Sequence, residues 1–199
     1  QSAQSAERDA MMGRKQLRET ERAELSREEF LQGLHCSVHL SRVSSTRAEH
    51  FPRSFELLNK TNQFNTTGRR WTEAQIAAFF DAGGCCYVFH VEDKFTRYGL
   101  VGVILYQAGE FRQFAMSCRV LGLEIETSVI AEILRREEAL RHGGDFSAVV
   151  IATEANMVCR DIYLRCGFVQ DPSDPHRFLR PGGGAEPIAA HLALEYADA

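Results

Sequence analysis

The stretch FAMSCRVLGLE (114–124) decides how the rest of the chain is read. Phe114 and Met116 fall in phase on one side of an alternating run, which predicts a strand over Phe111–Val120. Past Gly122 the period changes. Ile125, Val129, Ile133, Leu134 and Leu140 follow helical spacing, so a helix is expected from Glu124 to Arg141, stopped by Gly143 and Gly144. Arg119-x-x-Gly122 therefore sits at a strand-to-helix turn. The first N–H groups of a helix lack partners inside it, and the helix dipole adds partial positive charge there. Such a turn favours an anion, and Arg119 and Gly122 are candidate phosphate-binding residues.

Upstream, Cys36–Val43 alternates as a strand. A helix follows from Pro52, then the polar string TNQFNTTGRR (61–70), then a helix over Ala74–Phe80. Thr72 and Gln75 have the spacing of a capping box at its start. Cys86–Val91 and Leu100–Tyr106 read as two strands joined by the turn Asp93–Gly99. With Phe111–Val120 they form an antiparallel meander. Downstream, Phe146–Ala152 is nearly all apolar, as in a strand buried on both faces. A helix is expected over Asn156–Leu164, and short strands over His176–Arg180 and Ala190–Tyr196. The order defines an α+β fold, with a mixed, mostly antiparallel central sheet flanked by helices in a single domain. That domain spans residues 28–199. Residues 1–27 carry alternating charges and no sustained apolar stripe, so they read as a linker or helical extension.

The 199 residues are 44% hydrophobic and 25% charged with net charge −4, so global disorder is excluded. No apolar run is long enough for a membrane helix, and no membrane partner is expected. The acidic balance argues against a nucleic-acid partner. The six cysteines match no zinc spacing, no metal site is expected, and they read as free thiols of a cytoplasmic protein. The chain opens on QSAQSAERDA without Met, which suggests a piece of a longer protein.

The element order and the Arg119-x-x-Gly122 turn resemble the GNAT (N-acetyltransferase) fold, where an RxxGxG/A loop grips the pyrophosphate of coenzyme A. NMVCRDIYLRCGF (156–168) resembles that fold's second signature. TNQFNTTGRRWT (61–72), DKFTRYGLVGV (93–103) and FAMSCRVLG (114–122) together resemble the C-terminal domain of FkbH-like proteins, over roughly residues 28–198. The resemblance implies a GNAT-like acyltransferase domain downstream of a haloacid-dehalogenase-type (HAD) phosphatase domain. It implies transfer of a glyceryl unit, from 1,3-bisphosphoglycerate, to the phosphopantetheine thiol of an acyl carrier protein in polyketide biosynthesis. No tightly bound cofactor is implied beyond the phosphopantetheine arm or coenzyme A. One departure stands out: Glu124 replaces the second glycine of the loop, and its carboxylate would compete with a pyrophosphate.

Cys118, at the strand's end, is the candidate nucleophile, because a thiolate accepts acyl groups well and Arg119 could lower its pKa. His90 is its candidate general base, and Tyr163 occupies the position of the fold's general acid. The other histidines form no constellation. Asn62, Gln63, Asn65, Thr67 and Arg70 are candidate substrate-binding residues, since amides bind hydroxyls or an oxyanion and Arg70 could hold a phosphate. Asn156 is a candidate contact for the carrier arm. Two alternatives stand beside this reading: a non-catalytic carrier-protein docking module, and a conventional acetyl-coenzyme A-dependent N-acetyltransferase.

Overall fold

The computed structural model describes residues 3–197. The expected extension 1–27 and domain 28–199 each reach past these limits, and residues 1, 2, 198 and 199 lie outside the described residues. Helix α1 (Ala3–Glu24) occupies the extension. It is held to the body by polar contacts. Lys94 pairs with Glu21 at 2.6 Å, and Arg18 donates to the Tyr98 hydroxyl. Helix α2 (Arg27–Gly33) starts at Ser26 in a full capping box with Glu29 and buries Phe30 and Leu31.

The central sheet has eight strands in the order β6-β7-β5-β4-β3-β2-β1-β8. Strand β1 (Cys36–Val43) has the expected bounds. Strands β2 (Cys85–Glu92), β3 (Arg97–Gln107) and β4 (Glu110–Met116) form the expected antiparallel meander. On β2, Cys86 and Val88 pack with α3 (Phe51–Lys60) and α4 (Glu73–Asp81). Its alternate residues Cys85, Tyr87, Phe89 and Val91 join the core of α2 and α5 (Ile125–Leu140). The sheet therefore has helices on both faces, and β2 is apolar on both. The capping box of Thr72 and Gln75 forms as expected.

Strand β8 (Leu192–Ala197) adds parallel to β1. Strand β7 (Asp174–Arg180) pairs antiparallel with β5 (Phe146–Val149), and β6 (Val169–Asp171), not anticipated, is the edge. Three expectations are corrected. Strand β4 ends at Met116, because Ser117 caps a 3₁₀ turn, Cys118–Val120. Strand β5 has four residues instead of seven. The expected helix Asn156–Leu164 is two 3₁₀ turns, Met157–Cys159 and Leu164–Cys166. The Asn156 side chain does not cap a helix. It bonds back to Thr153 N (2.8 Å) and to the carbonyls of Ile151 and Asn65 (2.9 Å each).

The shortness of β5 has a cause. Strands β4 and β5 pair in parallel at only two positions, Glu110↔Ser147 and Phe111↔Ala148. Beyond them the strands separate, and Phe64-Asn65-Thr66 lies in the gap. Met116 N donates to Phe64 O and Thr66 N to Phe114 O, both at 2.9 Å; on the other side Ile151 N donates to Thr66 O at 2.8 Å. All three residues have zero exposure. The polar string read from the sequence as a connection is in part a strand-like wedge inside the sheet.

Candidate functional site

Cys118 lies on the rim of a cleft of about 440 Å³ between α3 and the end of β4. Arg53, Glu56 and Lys60 come from α3, and Asn62 and Gln63 from the loop after it. Two expected substrate-binding residues thus share a cleft with the expected nucleophile. The α3 residues carried no sequence signal, since they stand on an ordinary amphipathic helix some sixty positions away. Among the described residues, Gln63 has no side-chain partner. Asn62 accepts a hydrogen bond from Arg70 through Oδ1, which leaves its N–H₂ group open. Glu56 receives Arg53 at 2.5 Å and Lys60 at 3.0 Å. These hydrogen bonds hold its carboxyl below the usual range, and with Arg53 and Lys60 against one carboxylate the cleft keeps a surplus of positive charge.

Cys118 is the exposed cysteine; the other five are buried. Burial pushes the Cys36 and Cys166 thiols up to about 12 and Cys159 to about 11. Cys85 and Cys86 are raised by the same cause. Buried thiols of this kind are inert, so exposure singles out Cys118 as the thiol available to a reagent.

The remaining amide cluster is turned inward. Asn65 Nδ2 donates to Leu58 O (3.3 Å) and Thr61 O (3.1 Å). Its Oδ1 accepts from Thr67 N (3.4 Å), Gly68 N (3.0 Å) and Gln113 Nε2 (2.8 Å). Thr67 Oγ1 accepts from Arg69 N at 3.2 Å. Arg70 donates to Leu58 O and Thr61 O at 3.0 Å each. A cation on the carbonyl end of a helix is well placed, and here it closes α3. Asn65, Thr67 and Arg70 therefore build the wall behind the cleft, with their polar atoms engaged by the protein itself. Asn156 is wholly buried behind the same wall. Gln113, unremarked in the sequence, links this wall to Trp71, whose Nε1 donates to it at 2.7 Å.

His90 is not beside Cys118. It pairs with Leu100 on β3, while Ser117 N donates to Val101 O at 2.8 Å, so β3 stands between them. Its neighbours are His50, with ring centroids 4.7 Å apart, and His39 across the strand pair. Contrary to expectation, three histidines do gather here. Burial, then His50 and His39, lower the His90 pKa. Among the described residues no group of His, Cys, Asp and Glu could hold a metal ion, and no helix is long and apolar enough to cross a membrane.

Tyr163 is fully buried against Phe111, Phe168 and Phe178. Its hydroxyl lies beside Thr66 but outside hydrogen-bond geometry, and burial raises its pKa well above the ordinary value. It does not reach the Cys118 cleft. Tyr163→Phe removes an unsatisfied polar atom, so the urea midpoint should stay the same or rise. A loss of more than about 1 kcal/mol would show that the hydroxyl has a partner in solution.

Arg119 and Gly122 stand on the other side of the turn from this cleft. Gly122 has φ +82°, a conformation that favours glycine, and a Cβ there would meet open space. Glu124, at φ 60°, takes the N-cap position of α5 without a side-chain cap bond. Its carboxylate is held by Arg27 at 3.0 Å, so the residue expected to compete with an anion is itself paired with a cation. Compared with known proteins, the chain matches no family model and no curated protein.

Proposed function

We propose that this chain is an acyltransferase-like, GNAT-like domain of the FkbH type. It moves a glyceryl unit onto the phosphopantetheine thiol of an acyl carrier protein, with Cys118 as the transient acceptor. The observation that carries the reading is the exposure of one thiol among six, on the rim of a polar cleft with free amide groups beside it. The chemistry takes two steps. The Cys118 sulfur attacks the C1 acyl carbon of 1,3-bisphosphoglycerate; the carbon–oxygen bond to the C1 phosphate breaks and inorganic phosphate leaves, while the 3-phosphate ester stays on the acyl unit for hydrolysis by the phosphatase domain of an FkbH-type protein. The carrier thiolate then attacks the resulting thioester and releases the Cys118 thiolate. The thiol proton goes to solvent across the open cleft. The Asn62 and Gln63 amides donate to the glyceryl hydroxyls or to the developing oxyanion.

The arm does not run between β4 and β5, because Phe64–Thr66 lies there. It enters along α3. The filled gap weighs against a conventional acetyl-coenzyme A transferase. The docking-module reading draws support from a different observation: β3 separates His90 from Cys118, so no imidazole stands by as a base.

Incubating the chain with 1,3-bisphosphoglycerate and weighing the intact protein tests the proposal. Only the C1 phosphate leaves, so the expected product is a hydroxylamine-labile 3-phosphoglyceryl adduct that maps to Cys118, is absent from Cys118→Ala, and passes to an added carrier protein. An unmodified chain that still binds the carrier would leave the docking module as the correct reading.

A further inference from the structure

The Cys118 cleft holds more donors than the acyl step uses. Arg53 and Lys60 both reach Glu56, at 2.5 and 3.0 Å, so two cations share one carboxylate on the α3 wall. The three side chains stand at i, i+3 and i+7, on one stripe of the helix. They are held loosely: Arg53 is 42% exposed, Glu56 39% and Lys60 75%. Ion pairs this open contribute little and rearrange at small cost. The loop after α3 adds the unspent N–H₂ groups of Asn62 and Gln63. Glu56 apart, the charged and amide side chains of the cleft therefore offer donors, and the Cys118 sulfur lies on the wall opposite α3. A concave site lined by one sign of charge concentrates the opposite one.

An acyl donor for this thiol puts its carbonyl at the sulfur, and the far end of the acyl unit then falls against α3. On 1,3-bisphosphoglycerate that far group is the 3-phosphate ester, with a charge of about −1.5 to −2. We infer that Arg53 and Lys60 are specificity-determining residues that seat this 3-phosphate, so the cleft selects an acyl unit still phosphorylated at its far end over glyceryl itself. Each cation turns from Glu56 to the phosphate and makes a charge-assisted hydrogen bond to it. Glu56 reclaims both cations once the phosphate ester is hydrolysed, so the dephosphorylated unit loses this hold. The seat is separate from the Arg119–Gly122 turn, which lines a different cleft. The identity of the ligand rests on the proposed acylation of Cys118, whereas the cationic seat does not.

Protection of Cys118 from iodoacetamide reads the seat without any acyl transfer. The alkylation rate of each protein is measured with and without ligand, and the ratio gives the affinity. With the whole chain, 3-phosphoglycerate should protect Cys118, glycerate should not over the same concentration range, and protection should weaken as salt rises. Arg53→Glu and Lys60→Glu should each weaken protection roughly tenfold, since reversal removes an attraction and adds a repulsion. Lys60→Arg keeps the charge and should retain protection. Glu56→Gln should strengthen it roughly threefold, because both cations are released to the ligand; a merely structural role for the stripe gives no such gain. A second arm compares the initial rates at which 1,3-bisphosphoglycerate and acetyl phosphate, which has no distal phosphate, acylate Cys118. Lys60→Glu should lower the ratio of these rates roughly tenfold. Absence of protection by 3-phosphoglycerate at low salt, equal protection by glycerate, or protection that survives both reversals overturns the inference. So does an equal loss of both acylation rates in Lys60→Glu, because the cations then serve the leaving phosphate. If neither donor acylates Cys118 while 3-phosphoglycerate protects it and the variants respond as stated, the seat stands and the acyl-transfer reading falls.

Discussion

At neutral pH and limiting dose, iodoacetamide adds to the native protein at Cys118 and leaves the other five cysteines unmodified. Thiolate is the reacting species. A thiol pushed up to about 12, as at Cys36 and Cys166, has a thiolate fraction roughly three-thousand-fold below that of a free cysteine near 8.5. Access adds a second factor. Cys36, Cys85, Cys86, Cys159 and Cys166 are each at most 1% exposed, so their alkylation waits for local or global opening of the core. Peptide mapping after a time course gives the rate at each site. The expected result is one fast site, lost in Cys118→Ala, with the remaining five reacting together once urea unfolds the chain. Comparable rates at Cys118 and any buried cysteine in the native protein would refute the exposed-thiol picture, and with it the ground for choosing Cys118 as acceptor.

Asn65→Ala should cost about 3–5 kcal/mol of unfolding free energy, measured by urea denaturation. The residue is wholly buried, and its side chain hydrogen-bonds to five other residues. The loss does not scale with their number. Leu58 O and Thr61 O keep Arg70 as a donor, and Gln113 Nε2 keeps Arg69 O. Thr67 N and Gly68 N lose the acceptor they share, and an unsatisfied buried N–H costs about 1–3 kcal/mol. The cavity left by the amide adds to this. Combining the change with Gln113→Ala should give clear non-additivity, because the pair is bonded at 2.8 Å. A loss below about 1 kcal/mol would mean that the wedge does not depend on Asn65. Asn62→Ala, on the exposed side of the same string, should leave the urea midpoint nearly unchanged.

These two residues mark where the sequence was legible. NQFN (62–65) reads as one polar string, yet Asn62 and Gln63 face a cleft while Phe64 and Asn65 enter the sheet. Composition shows that an amide is present. It does not show whether its partner is a substrate or the carbonyl of Leu58. The capping box of Thr72 and Gln75 could be read directly, because its partners lie three residues apart. The helix over Asn156–Leu164 was misread for the opposite reason: its first residue bonds to Asn65 O, 91 positions away.

The sequence by itself determined the α+β class, the meander β2–β4, the long helix α5 and the turn that joins them. These follow from periodicity and from bonds between near neighbours, which local pattern encodes. Only the tertiary structure decided which cysteine is open, that β3 separates His90 from Cys118, that Phe64–Thr66 fills the gap beside β4, and that α3 brings Arg53 and Lys60 to face Cys118. Each of these depends on burial or on groups brought together from distant parts of the chain, and both arise only when the sheet and its helices close on one another.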